Sequence, residues 1–316
     1  MKTNFKKILF RLAVLPAVWI INFSLLYFSP GDATSRYWGP QTSQSALAQM
    51  RVEKGLDLAY PEQLLFWTNR LLQGDLGYSW TYHRPVLAVF ADVLPATLQL
   101  TTAALVLNIL LGSFLGVVSA VFAGRPGGKL LDYLGQTIYA VPLFLFAMTL
   151  IYIFSIKLQW TPVSGLQSIL MPGDSALLDR MHHLALPVAA LGLAGAVPIM
   201  RYVSANMKEI LREPYIVLAR AKGLSKARTV LTHAFRNSLL PIITQVGLAL
   251  PILFSGALVV EVIFALPGMG RAIYEAIFAK DYPVILAANF ITAVLIIFGN
   301  LAADAVYGLV DPKTKH

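Results

Sequence analysis

The stretch Ala96–Ala123, ATLQLTTAALVLNILLGSFLGVVSAVFA, runs for 28 positions without one Asp, Glu, Lys or Arg. Wound as an α-helix it would be about 42 Å long, more than the roughly 30 Å hydrocarbon core of a bilayer. Its apolar residues run on without the strict alternation of a barrel strand, so it reads as a helix facing lipid. The rest of the chain agrees. Of its 316 residues, 57% are hydrophobic and only 13% charged, a balance outside the range of soluble domains. In lipid every backbone polar group must be satisfied within the chain, which selects helices for runs of this kind.

Working outward from this second span, five more apolar runs appear: Ile8–Phe28, Tyr133–Ile156, Leu184–Val203, Leu239–Phe264 and Pro283–Val306. The first follows Lys2, Lys6 and Lys7 but is too long for a signal peptide, and no small-residue cleavage site follows it, so it reads as an uncleaved span. Pro95 is expected to open the second span and Pro142 to kink the third. Residues 29–94 form a polar lobe, with a helical stretch near Ser43–Leu72, and Lys157–His183 a second polar loop on the same side. Most of the 25 Lys and Arg residues lie on the opposite side, at the N-terminus, around Arg125, in Lys208–Arg236 and in the tail. The positive-inside rule makes that side cytoplasmic and places both termini there. The expected organisation is a cytoplasmic N-terminus and first span (1–28), an external lobe (29–94), a membrane core (95–310) with a cytoplasmic segment at 208–241, and a tail (311–316). No internal repeat is visible, so inverted-repeat transporter folds gain no support.

Several function classes drop out. The net charge of +9 gathers at the ends of apolar runs and lacks the interleaved aromatics of a nucleic-acid binder. The absence of cysteine excludes thiol chemistry and cysteine metal sites. A phosphate-binding loop is missing: in the best candidate Ala123 stands where the first glycine belongs and Leu130 where a hydroxyl is needed. With no Gly-x-Ser-x-Gly elbow and no His-Glu-x-x-His pair, a membrane enzyme has no catalytic constellation, and a scaffold is the other reading from a different class.

The most informative polar segment is Glu213-Pro214-Tyr215-Ile216-Val217-Leu218-Ala219-Arg220-Ala221-Lys222-Gly223-Leu224-Ser225, continuing through Arg228 to His233-Ala234-x-Arg236-Asn237-x-Leu239-Leu240-Pro241. Pro214 suits the first turn of a helix, Gly223 its stop, and Ser225 the cap of a second helix. Two short helices meeting at a glycine predict a compact basic knob. Charge alone would mark any cytoplasmic loop; the ordered pattern is what distinguishes this one.

That pattern resembles the coupling segment of binding-protein-dependent importer permeases, specifically the dipeptide, oligopeptide and nickel permease family. Further matches to the family are Gly74-Asp75-Leu76-Gly77-x-Ser79, Arg84-Pro85-Val86, Leu94-Pro95-Ala96-Thr97-Leu98-x-Leu100, Phe264-x-Leu266-Pro267-Gly268-x-Gly270-Arg271, Asp281-Tyr282-Pro283, Asn300-Leu301, Asp304, Tyr307 and Asp311-Pro312. The long lobe after the first span resembles the first permease of the family's heterodimer. The resemblance implies an all-α fold of six transmembrane helices, the type I ATP-binding-cassette importer permease fold, in a bacterial inner membrane. It implies a second permease, two ATP-binding subunits that hold the ATP and Mg, a periplasmic or extracellular solute-binding protein and a peptide substrate, with a nickel or other metal-chelate complex as the alternative. Ala219, Arg220, Ala221, Lys222, Gly223 and Leu224 would contact an ATP-binding subunit, supported by Arg228, His233, Arg236, Asn237 and Pro241. Val217 and Leu218 depart from the broader importer pattern, which has an acidic residue there.

Other polar residues carry two readings each. Glu261 is either a functional carboxylate within the membrane or one facing water at its surface. Pro267, Gly268 and Gly270 shape an external gate in the resembling family, or form a simple connector. Asn108, Gln136, Gln245, Asn289 and Asn300 either line a path or hold helices together, and Asp304 reads as interfacial. His182-His183 lacks a third ligand nearby, so a metal site is disfavoured.

Overall fold

A computed structural model describes residues 2–30, 44–168, 176–225, 228–230, 235, 238 and 257–310. Helix α1 is Lys2–Tyr27, α2 Gln44–Glu53 and α3 Tyr60–Leu72; the two-residue strands β1 (Tyr78–Ser79) and β2 (Arg84–Pro85) pair antiparallel as a small hairpin. Helix α4 is Val86–Val121, α5 Pro126–Ala140, and α6 Leu143–Leu150 with a π-helical continuation Ile151–Lys157. Helix α7 is Ala176–Ile210, α8 Pro214–Ala221, α9 Leu258–Ile263, α10 Met269–Ala279 and α11 Tyr282–Val310.

Among the described residues three helices are long and apolar enough to cross a membrane, namely α4, α7 and α11 over Tyr282–Leu301; α5 with α6 and its continuation passes as a broken pair. The expected fifth span lies mostly outside the described residues. Span three breaks where Pro142 predicts, but by 103°, far beyond a modest kink. Pro142 lacks an amide hydrogen and Val141 before it is extended, at ψ 125°, so the α5 ladder ends and a new helix begins. Pro95 does not open a helix, as the sequence suggests; it sits well inside α4, where the missing hydrogen bond is tolerated in a long apolar helix. The stretch near Ser43–Leu72 is two helices, interrupted around Gly55, whose φ of +63° suits glycine. Helix α7 begins at Ala176, about two turns ahead of the expected span, drawing His182 and His183 into it.

The centre of the fold is the pairing of α4 with α7. On α4, Gly112 and Gly116 form a Gly-x-x-x-Gly step. A Cβ at Gly112 would lie 2.6 Å from the Ala196 carbonyl oxygen, and one at Gly116 2.8 Å from that of Met200. On α7, Gly192 and Gly195 receive Leu107 and Asn108 at similarly short range. Backbones this close gain dispersion contacts that bulkier residues would prevent. Around the pair, Ser119 donates to Asp132 Oδ1 at 2.7 Å and shares a 2.9 Å bond with Ser204. Helices α1 and α11 form a second pair, joined by Asn289 Nδ2 donating to Asn22 Oδ1 at 2.9 Å and by Trp19 edge-on to Phe290. Asn108 and Asn289 are therefore interhelical contacts.

Candidate functional site

The knob segment has its turns where Pro214, Gly223 and Ser225 stand in the sequence. Pro214 opens α8, and after Ala221 the chain turns at Gly223, φ +86°, with the Leu224 amide donating back to the Ala219 carbonyl at 3.2 Å. An L-residue is strained at that φ, whereas glycine is not. Ser225 then starts the next helical turn: its Oγ accepts from the Arg228 amide at 3.3 Å, and its carbonyl accepts from the Thr229 amide at 3.0 Å. Val230 is buried and packs with Ala120 of α4 and Val203 and Met207 of α7, with Phe235 against the same cluster. The root of the knob is thus wedged against the two close-packed helices at Ala120, Val203 and Met207.

Its outer face is different. Ile216 is buried, but Tyr215, Val217 and Leu218 are exposed, the last two at 59% and 55%. Lys222, Gly223 and Arg228 are also exposed, while Ala219 and Leu224 are half-buried. These apolar side chains are left uncovered on α8. Val217 and Leu218 were legible only as departures from a pattern; their exposure is what singles them out. The Arg220 side chain and the residues His233, Arg236, Asn237, Pro241 and Gln245 lie outside the described residues.

At the other end of α4 a second constellation forms around Glu261, which faces neither water nor an open cavity: its exposure is 0%. Thr97 Oγ1 donates to Glu261 Oε1 at 2.8 Å, and the Arg271 amide donates to Oε2 at 3.0 Å. The Met269 amide donates to Thr97 Oγ1 at 2.7 Å. The Met269 and Arg271 amides, in the first turn of α10 and without partners within the helix, are thereby satisfied by Thr97 and Glu261. A negative group at a helix N-terminus is also favoured by the helix dipole. The glycines make room: a Cβ at Gly268 would stand 2.4 Å from the Glu261 carboxyl carbon, and one at Gly270 2.7 Å from Leu258 Cα. Pro267, exposed, leads into this turn. Thr97 is the member that carried no chemical signal of its own in the sequence.

Just above, Tyr82 donates to Glu275 Oε2 at 2.9 Å and Arg271 Nε to Glu275 Oε1 at 2.8 Å. Burial, then the bond to Glu275, push the Tyr82 phenol well above its usual range. Asp281 accepts from Ser79 Oγ at 2.6 Å and from the Thr81 amide at 2.8 Å, fastening the hairpin to the start of α11. Gln136 lines a polar cavity with Asp132, Arg201, Ser204 and Lys208 between α5 and α7, and Asn300 is half-buried on α11. His183 Nδ1 bonds the Asp179 carbonyl at 2.9 Å and His182 Nε2 the Trp160 carbonyl at 2.6 Å; among the described residues no cluster is arranged to hold a metal.

Residues 109–316 match the family described as binding-protein-dependent transport system inner membrane component. The chain is 36% identical to the oligopeptide transport system permease protein AppB of Bacillus subtilis, covering 98% of each. It is 36% identical to the di/tripeptide transport system permease protein DppB of Pseudomonas aeruginosa, over 95% of this chain and 94% of the relative. It is 33% identical to the dipeptide transport system permease protein DppB of Escherichia coli K12, again over 95% and 94%. Among solved structures, a methionine ABC transporter in inward-facing conformations superposes with a TM-score of 0.54 at 15% identity, covering 71% of this chain and 97% of that one. At that identity the likeness speaks for the fold, a type I importer permease.

Proposed function

Because the chain belongs to the family of binding-protein-dependent transport system inner membrane components, we propose that it is a permease subunit of an ATP-binding-cassette importer for peptides. It forms the translocation path with a second permease, receives substrate from a solute-binding protein, and takes its energy from two ATP-binding subunits that carry the ATP and Mg. It sits in the bacterial inner membrane with both termini cytoplasmic and residues 29–94 outside. The observation that carries the coupling role is the knob, anchored by Val230 and Phe235 on the inner ends of α4 and α7 and presenting Tyr215, Val217 and Leu218 outward.

In this reading ATP binding draws the two ATP-binding subunits together, each moves the knob docked on it, and the permeases reopen toward the other side. Ala219, Ala221 and Gly223 permit close approach, with Lys222, Arg228 and the flanking basic residues at the rim. The Glu261 lock, with Pro267, Gly268 and Gly270, holds the outer loop that takes part in gating. The test is co-purification with the partner subunits, then ATPase and dipeptide uptake assays in proteoliposomes, for wild type, Val217→Asp and Leu218→Asp. Both positions are exposed, so the variants should keep the wild-type gel-filtration profile while losing the ATP-binding subunits and uptake. Variants that retain full ATPase stimulation and uptake would overturn the docking role, and a wild-type preparation that never retains an ATPase would overturn the importer reading.

A further inference from the structure

The external lobe is expected from sequence to be a soluble unit, yet α3 lies alongside the outer ends of two membrane helices. Trp19 Nε1 of α1 donates to Thr68 Oγ1 at 2.9 Å, and Ser24 shares a 2.8 Å bond with the Tyr60 hydroxyl. Trp67 packs with Trp19, Phe23 and Leu286 in one cluster, joined by Leu71 at its margin. These partners belong to the apolar runs that begin or end the spans, so α3 sits at their depth. Leu65 and Leu72, seven residues apart and so on one flank of α3 beside that cluster, are exposed at 62% and 79%. On α1, Ile21 and Leu25 are likewise exposed apolar residues. Tryptophan and tyrosine along the seam are the residues favoured at a membrane–water boundary.

We infer that α3 is an interfacial helix embedded in the outer leaflet, its Leu65–Leu72 face in contact with phospholipid acyl chains. It would brace α1 against α11 from the lipid side and hold the hairpin at the membrane surface.

The chain contains no cysteine, so single-cysteine variants report cleanly. Leu65→Cys and Leu72→Cys, with Leu25→Cys as the lipid-facing reference, are labelled with an environment-sensitive fluorophore in the assembled importer reconstituted into phosphatidylcholine–phosphatidylglycerol vesicles, the wild-type importer giving the background. Blue-shifted emission, quenching by nitroxide-bearing lipid equal to that at Leu25 and shielding from aqueous iodide are expected. Iodide quenching equal to that of the free dye would place the helix in solvent. Shielding from both quenchers would mean that a protein partner covers it. Either result overturns the inference, and neither bears on peptide transport.

Discussion

Replacing Thr97 by valine keeps nearly the same shape and removes only the hydroxyl that joins α4 to Glu261 and to the start of α10. Two hydrogen bonds go with it: the one donated to Glu261 Oε1 at 2.8 Å and the one accepted from the Met269 amide at 2.7 Å. A bond to a charged acceptor contributes about 1.5–3 kcal/mol, and leaving a buried amide unsatisfied costs about 1–3 kcal/mol. Thr97 is fully buried, so water does not replace either partner, and the expected loss is about 3–5 kcal/mol. In a chain of this size that lowers the melting temperature by on the order of 8 °C. Thr97→Ser restores the hydroxyl and should recover most of the difference, at the cost of one methyl group. The assay is thermal unfolding of the detergent-solubilised permease followed by fluorescence size-exclusion, run on wild type, both Thr97 variants, Glu261→Gln and the Thr97→Val/Glu261→Gln pair. Coupling in the cycle is expected at about 0.5–3 kcal/mol, as for groups in one hydrogen-bond network. If Thr97→Val melts with wild type, or if serine fails to recover what valine loses, the lock does not hold the loop in the way described.

Gly268→Ala should destabilise the same loop by more than about 1–3 kcal/mol typical of overpacking, because its Cβ meets the Glu261 carboxyl group at 2.4 Å; the same melting assay checks it. Gly116→Val should force α4 and α7 apart, since the added carbon falls 2.8 Å from the Met200 carbonyl oxygen, and expression of monodisperse protein should collapse while a lipid-facing Phe114→Val control expresses normally. Gly223→Ala meets open space but keeps φ at +86°, so a strain of about 1–2 kcal/mol should weaken ATPase stimulation without changing the melting temperature of the membrane core. The Asp75 carboxyl is held below its ordinary value by the Gly77 amide and then by Arg70. A carboxyl depressed in the folded state stabilises fully above its unfolded value of about 3.9 and loses that contribution as pH falls through the lower, folded one. Limited proteolysis of the 73–77 turn should therefore stay constant from neutral pH down to mildly acidic pH and quicken only below it, with the step absent in Asp75→Asn.

What the sequence made legible were the features with local causes. Long uncharged runs mark α4, α7 and α11 because lipid tolerates little else, and the Pro214, Gly223 and Ser225 punctuation gives α8 its ends because capping is settled within a few residues. Pro142 marks the break in span three for the same reason, although its angle depends on how α5 and α6 pack on α7. Glu261 was legible as a costly residue but not as a helix cap. Its partner Thr97 lies 164 positions away, and one hydroxyl among many on an apolar helix announces nothing. The position of α3 was hidden likewise: its polar and apolar residues suit a soluble lobe until Trp19 and Leu286 are seen beside Trp67. The close α4–α7 approach was written in Gly112 and Gly116, a spacing whose meaning depends on which helix faces it.

These pieces place the two constellations on one strut. Thr97 and Ala120 are 23 residues apart on α4, about 35 Å along the axis, and there the helix runs unbroken. Toward one end Ala120 packs against Val230 beneath the knob; toward the other Thr97 holds Glu261 and the first amide of α10. Between them Gly112 and Gly116 press α4 onto the α7 backbone, so the two helices resist bending separately. If the knob is displaced, a pair this close would absorb little of the movement and would pass it to the loop that follows Glu261 as a tilt. Sliding at the glycine seam is the alternative, and the two differ in an observable way. Cross-linking α4 to α7 through a Ser119→Cys/Ser204→Cys pair, whose hydroxyls lie 2.9 Å apart, should leave transport intact if the helices move as one body, and should abolish it if they shear.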